Sequence, residues 1–349
     1  MNKIVFIFLI IVFLLKTGNV FSNNNIFNVD NIIVTNDNNL NREQLLNKAF
    51  KNGFIKLVNK ILLKKDTRVI LNSSLSEIKD LVSNYQIIEL DKISNRNEVK
   101  INISFNRVKI NKFFYEKNIL YADIEDTNVL IFPVLIENGK VFIFNKNYFF
   151  TNWEKEKNEE NNNFIQYILP VENLEYIRKI NSNKDNLDQI NINDLLSNYD
   201  LEDYLFMAII SKEKSLNVYL KGTISGNQIV KNISFDNFSI DKFKNYDLII
   251  EKTKQEIQDI WKSQNLIDVR TPSFLNINLD IEKIDDLLKL QNNLNKIDLI
   301  ENYNVLELTN NNAKIKIKYF GKITKIKKKF IDNGVEVKIR QNQWTLKVN

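Results

Sequence analysis

The side chains with the reach for acid–base or metal chemistry are carboxylates. They fall in three local groups: Asp123 with Glu125 and Asp126, Glu202 with Asp203, and Asp285 with Asp286. Two carboxylates at a fixed separation can hydrolyse a glycoside, and several oxygens at loop spacing can hold calcium. Neither arrangement is legible in these groups, which read as solvated surface or helix caps. Asp285 and Asp286 fall in the first turn of a helix, where the helix dipole favours acids. The chain has no histidine and no cysteine, so serine–histidine triads, cysteine nucleophiles, common zinc sites and imidazole catalysis are unavailable. Neither G-x-x-x-x-G-K-[ST] nor G-x-G-x-x-G occurs, which removes the usual phosphate cradles. The expectation is a non-enzymatic protein with no catalytic, cofactor-binding or metal residues; a carboxylate-dependent hydrolase of glycans is the enzymatic alternative.

Basic residues form the other pattern. Lys314, Lys316 and Lys318 alternate with apolar residues on one strand, Lys338 and Arg340 on another, and Lys347 on the last. Period-two geometry sends each set to the sheet face away from the helices. If the strands are neighbours, they form a basic platform that would dock an acidic protein or anionic lipid headgroups, with an attraction weakened by salt. The plain reading is a solubilising face. Lys327, Lys328 and Lys329 read as solvated helix surface. Trp153, Trp261 and Trp344 read as core, with a partner anchor as the alternative. Gly222 and Gly226 match a small-xxx-small membrane pattern only formally, because they lie in a hairpin.

The elements that must position these residues fall into three modules. The first, 28–124, reads β-α-α-β-β with a closing helix. Its strand at 29–34 is followed by a helix that Asn41 can cap, with Leu45, Leu46, Ala49, Phe50, Phe54, Leu57, Val58, Ile61 and Leu62 at helical spacing. Gly53 marks a close backbone approach. After a loop come a helix at 74–82, strands at 85–90 and 99–105, and a helix at 109–118 with Ile110, Phe113 and Phe114 inward. The second module, 128–268, reads as an α/β layer. Its strand at 129–136 is apolar on both faces, like a sheet centre, and ends in the hairpin turn Asn138-Gly139. Residues 153–163 read as solvated and 181–193 as a flexible segment. Strands at 204–210, 216–224 and 229–235 precede an amphipathic helix at 241–262. A crevice at the carboxyl ends of its parallel strands is the place where a small-ligand-binding alternative would act. The third module, 273–349, reads as a ferredoxin-like β-α-β-β-α-β unit. Leu275, Ile277, Leu279 and Ile281 alternate on its first strand, and both Val335-Val337-Ile339 and Trp344-Leu346-Val348 close it as strands. The fold class expected is therefore multidomain, mixing α+β and α/β.

The first residues add a location. Met1-Asn2-Lys3, the charge-free apolar run 4–15 and the breaker Lys16-Thr17-Gly18 make a secretory signal, with cleavage expected after Ser22. The run is shorter than the roughly 20 residues a membrane-spanning helix needs; retention as an anchor is the alternative. Without cysteine the protein is no lipoprotein. Net charge falls from +6 to +4 once Lys3 and Lys16 leave, a weak lean toward acidic partners. Export argues against nucleic acid. The secretion machinery and other envelope proteins are the expected partners.

The opening strand and helix at 28–63, the segment Ile101-Asn102-Ile103-Ser104-Phe105, the strand at 129–136 and Leu169-Pro170-Val171-Glu172-Asn173-Leu174-Glu175 together resemble the bacterial exported family called domain of unknown function 2066. The stretch 321–344, with its helix and Trp-bearing hairpin, is similar to the same family. In the 169–175 segment the chain departs from the Gly-Asp pattern that the resemblance would predict. More distantly, the first two modules look similar to flagellar assembly protein T and to the amino-terminal domain of the translocation protein TolB. These resemblances imply a role in envelope assembly or scaffolding, as fold-level analogies.

Overall fold

The computed structural model describes residues 26–35, 40–89, 98–124, 126–155, 164–184, 186–187, 190–192, 195, 199, 201–212, 215–236, 242–283 and 285–348. The expected signal at 1–22 lies outside them, as do Glu125 and residues 156–163 of the charged stretch 153–163. The chain forms two compact units. One contains the described residues up to Tyr121 together with those from Ile267 onward; the other is Ala122–Leu266. Both mix helices and sheets, so the fold is α+β in the broad sense.

The first unit begins with strand β1 (Asn28–Thr35) and helix α1 (Arg42–Ile61). Asn41 caps α1 by accepting from the Gln44 N–H while Gln44 reaches back, a reciprocal capping box. Its apolar stripe buries Ala49, Phe50, Phe54, Leu57, Val58 and Ile61. Where the sequence reading has a loop, a short helix α2 (Lys64–Ile70) follows, burying Thr67 and Ile70. Leu62 and Leu63 interrupt the α1 pattern only briefly before helical geometry resumes. Helix α3 (Leu75–Leu81) starts on a second capping box, Ser74 with Glu77. Strands β2 (Val82–Glu89) and β3 (Glu98–Phe105) and helix α4 (Arg107–Lys117) complete this part. The sheet order is β1-β3-β2, all antiparallel. Ile101, Ile103 and Phe105 are buried, the last with its ring 6.2 Å from that of Phe54 on α1. A Cβ on Gly53 would stand 2.7 Å from Ile103 Cδ1, so the close approach expected at this glycine is present.

The second unit is built on β4 (Thr127–Glu137), with β5 (Lys140–Phe142), a short helix α5 (Tyr148–Asn152), β6 (Ile165–Ile168), α6 (Leu174–Ser182), β7 (Tyr204–Lys212), β8 (Ser215–Ile224), β9 (Asn227–Asp236) and the long α7 (Lys242–Gln264). Strands run in the order β9-β8-β7-β4-β5, and β6 also pairs with β4. β4, β6 and β7 are mutually parallel, while the hairpin partners are antiparallel. Seven consecutive residues of β4, Val129 to Leu135, are buried, because helices and loops cover both sheet faces. Over one face Phe132, Phe144, Tyr176, Ile180 and Phe206 share a core. Over the other, α7 lies against β8 and β9, burying Tyr246, Ile249, Ile257 and Trp261. Both hairpins turn as their residues require: Asn138 and Gly139 at φ 51 and 70, and Ser225 and Gly226 at φ 50 and 77.

Two sequence expectations fail here. Trp153, placed at the start of a solvated stretch, is fully buried and meets Tyr167 edge-on at 5.5 Å. The segment 181–193, expected to be flexible, begins inside α6 and contributes Leu187, Ile190 and Ile192 to the core. Asparagine, aspartate and lysine dominate its composition and hide three apolar residues that the sheet buries.

The chain then returns to the first unit with β10 (Ser273–Asp280), α8 (Asp285–Lys296), β11 (Ile300–Leu308), β12 (Asn312–Tyr319), α9 (Ile323–Asp332), β13 (Val335–Arg340) and β14 (Gln343–Val348). The sheet order is β11-β12-β10-β14-β13. Both strands expected after the second helix are present, so this part has seven elements, β-α-β-β-α-β-β, and not the six of a ferredoxin-like unit: β14 sits between β10 and β13 and runs parallel to β10. In that interior place β14 buries Trp344, Leu346 and Val348, whereas β13, with as many apolar residues but at the edge, buries only Val335. The turn Gln341-Asn342, at φ 48 and 62, then folds it antiparallel against β13. Within the same unit Arg107, at the start of α4, donates to the Ile297 carbonyl at 3.1 Å and lies 3.8 Å from the Asp298 carboxylate. Among the described residues no helix is long and apolar enough to cross a membrane.

Candidate functional site

The five-stranded sheet has a helix-covered face and an open one. β12 buries Ala313, Ile315, Ile317 and Tyr319 against the helices, so Lys314, Lys316 and Lys318 stand on the opposite side. The register carries that side across the sheet: Lys314 faces Asn278, Asn278 faces Thr345, and Thr345 faces Lys338. Lys347 faces Glu336, and Arg340 faces Gln343. All six basic residues picked out by alternation therefore share one face.

That face is not a bare cationic platform. Lys314 pairs with Glu307 at 2.5 Å, Lys318 with Glu301 at 2.7 Å, Lys338 with Glu336 at 3.0 Å and Lys347 with Glu282 at 2.7 Å. The Glu282 carboxylate beside Lys347 raises the pKa of its ammonium group. At the start of β10, Phe274 is 57% exposed and the Lys316 ammonium lies 4.6 Å from its ring centroid. The face is thus an exposed aromatic and a cation toward one end, with amides at Asn276, Asn278 and Asn304 next along it and four ion pairs distributed over the face. Alternation of the lysines alone does not reveal Phe274 or the acids. A large aromatic at the polar parity of β10, between Ser273 and Leu275, is a signal the sequence does contain.

The carboxylate groups divide differently from the surface-or-cap expectation. Asp286 does cap: it accepts the N–H groups of Glu282 at 2.9 Å and Lys283 at 2.7 Å, which hold its carboxyl below the usual range. Asp123 and Asp203 are buried, at 6% and 8% exposure, as Asp286 is at 6%, but they cap no helix. They lie at one end of the second unit's sheet. Asp203 accepts the Ser225 N–H at 2.7 Å and the Thr127 hydroxyl at 3.4 Å. Asn265 joins the Ser225 hydroxyl at 2.9 Å, and its carbonyl accepts the Asp123 N–H at 3.0 Å. The chain of bonds fastens the β8–β9 turn to the starts of β4 and β7. Both Asp203 oxygens are engaged with protein donors, which gives it a structural role. Lys262, at the end of α7 and 4% exposed, has its pKa pushed down to about 8 by burial. Among the described residues no three or more metal-ligating side chains converge.

Burial pushes the Asp203 carboxyl above the usual carboxylate range, and the bonds from Ser225 and Thr127 offset this only in part. With its folded pKa above the unfolded 3.8, the protonated form favours the fold below that value. The contribution is lost as pH rises through the folded pKa. At neutral pH the buried charge is a cost. Asp203→Asn keeps an oxygen for the Ser225 N–H and is expected to leave stability unchanged or raise it by up to about 1 kcal/mol. Asp203→Ala strands that N–H and is expected to cost about 1–3 kcal/mol. Urea unfolding at pH 7 and pH 4 checks both, and any advantage of the asparagine should shrink at the lower pH.

All three tryptophans are buried, Trp153 at 0%, Trp261 at 4% and Trp344 at 9%, so the core reading of them holds. Comparison of the chain with protein-family models, with curated proteins and with solved structures gives no match.

Proposed function

We propose that this chain is an exported, non-enzymatic envelope protein that works by binding other proteins, and that the open face of its five-stranded sheet is the docking surface. The observation that carries the reading is Phe274, exposed on a central strand under the Lys316 ammonium, with the Lys318–Glu301 ion pair on the neighbouring strands beside it and three further ion pairs farther along the same face. An exposed aromatic anchor with a polar, charge-paired rim is the arrangement from which interfaces draw most of their affinity. Six basic side chains against five carboxylates, Asp280 joining the four in ion pairs, leave the face with a positive excess of one. The partner it fits is an acidic protein surface carrying an apolar residue for the Phe274 ring. Kinship with the exported family of unknown function 2066 and an α/β second module belong to the same proposal, together with the signal at 1–22 and a periplasmic or envelope location.

The test is affinity capture from envelope extracts of the cells that make the protein, using the wild-type chain, Phe274→Ala and Lys316→Glu as matched baits. One acidic protein, identified by mass spectrometry, is expected with the wild type. Its recovery should fall about tenfold or more with either variant, the effect of losing a hot spot. Flotation with phosphatidylglycerol vesicles is run beside it. Equal recovery with all three baits, or vesicle binding that follows the same two substitutions, would overturn the protein-docking reading.

A further inference from the structure

The two outer strands of the five-stranded sheet have complementary properties. Among the described residues β11 pairs only with β12, and β13 only with β14, so each presents a free row of backbone donors and acceptors. Such edges are usually blunted by lysine, proline, short length or bulges. β11 has nine residues, IENYNVLEL, with no lysine, arginine, proline or glycine. It exposes Val305 at 39%, Leu306 at 61% and Leu308 at 58%. Two register breaks, at Ile300/Asn302 and Val305/Glu307, and its two charged residues are its blunting devices. Its charges are acidic, Glu301 and Glu307. On the opposite edge β13 exposes Ile339 at 41% beside Lys338 and Arg340.

Strand directions fit as well. β12 runs against β10 and β11 runs against β12, so β11 runs with β10. β14 runs with β10 and β13 runs against β14, so β13 runs the other way. A second copy brought alongside by translation across the sheet therefore lays its β13 antiparallel to β11, the pairing sheets favour. The edges match in character: both expose aliphatic side chains, β11 carries two acids, which pair with Lys314 and Lys318 of β12, and β13 carries Arg340 beyond the Lys338–Glu336 pair.

We propose that the chain self-associates through this junction, β11 of one copy adding to β13 of the next so that the five-stranded sheet continues between molecules. The contact is heterologous, because the two surfaces differ. Accumulated strand twist, roughly 20° per strand, rotates successive copies, so the assembly grows as an open helical series unless the rotation happens to close a ring. It joins the edges of the sheet; Lys338 and Arg340 also lie on the open face, but Phe274 and Lys316, on which the docking reading rests, are on interior strands, and Leu306→Lys leaves all six basic residues of that face in place.

The test is sedimentation velocity of the full chain over a hundredfold concentration range, with Leu306→Lys, which places a charge on the β11 edge, and Arg340→Glu, which reverses the β13 edge. Both positions are exposed, so melting temperatures should match the wild type. The wild-type weight-average mass should rise with concentration, and each variant alone should associate about tenfold more weakly or not at all. The decisive sample is the mixture. The Arg340→Glu chain retains an intact β11 and the Leu306→Lys chain an intact β13, so together they should form a dimer that extends no further. A wild-type mass independent of concentration would overturn the proposal. So would association unchanged by Arg340→Glu, or a mixture no larger than its components.

Discussion

Replacing Gly222 by alanine is expected to remove about 4 kcal/mol or more from the second unit, an exceptional loss for one methyl group. Gly222 lies on β8 opposite Leu205 of β7. A Cβ there would stand 2.0 Å from the Tyr204 carbonyl oxygen and 2.9 Å from the Leu205 Cα. These are backbone atoms inside a hydrogen-bonded ladder, so no rotamer change makes room, and the two strands must move apart. The loss is comparable with a large share of a typical domain's 5–15 kcal/mol, taken as an order of magnitude. Gly226→Ala is the matched control: it has φ 77 and nothing within 4 Å of where a Cβ would stand, so only backbone strain of about 1 kcal/mol applies. Tryptophan fluorescence during urea unfolding reads the result, because Trp153 and Trp261 are in the second unit; a Trp344→Phe background removes the remaining signal. Equal losses for the two substitutions would show that β7 and β8 do not approach this closely.

Phe132→Ala should cost about 3–5 kcal/mol in the same unit. Phe132 is fully buried, with ring centroids of Phe144 at 5.7 Å, Tyr176 at 5.8 Å and Phe206 at 6.2 Å. Tyr176 comes from α6 and Phe206 from the neighbouring strand, so one ring ties a helix to two strands. Because interiors are close-packed, the three surrounding rings cannot collapse fully into the space. Hydrogen exchange should show α6 losing protection before β4 and β7, since Tyr176 is one of its two buried side chains. Phe132→Leu should recover most of the loss, and uniform loss of protection across the unit would contradict this local account.

Much of this architecture is legible in the sequence where period and chemistry agree. The stripe from Ala49 to Ile61 gives α1, and Asn138-Gly139 gives its hairpin. Alternation at Ile315 and Ile317 fixes which way Lys314, Lys316 and Lys318 point. What is not legible depends on long-range partners. Nothing local to Lys314 or Lys318 reveals that Glu307 and Glu301, on the adjacent strand, neutralise them. Asp203 looks like Glu202 beside it, yet the β8–β9 turn encloses one and leaves the other at the margin. The place of β14 between β10 and β13 depends on which of the last two strands takes the sheet interior, which no single strand shows. Around Leu187 and Ile190 a polar composition masks three well-placed apolar residues, so the segment reads as flexible although the core takes it up.

The most direct test of a docking role is photo-crosslinking in living cells, with a photoreactive amino acid at position 316 on the open sheet face and, in a second strain, at position 327 on exposed α9 surface. The account predicts one discrete protein adduct from 316 that disappears with Phe274→Ala, and none from 327. Equal capture at both positions, lipid adducts alone, or no adduct at 316 would contradict it.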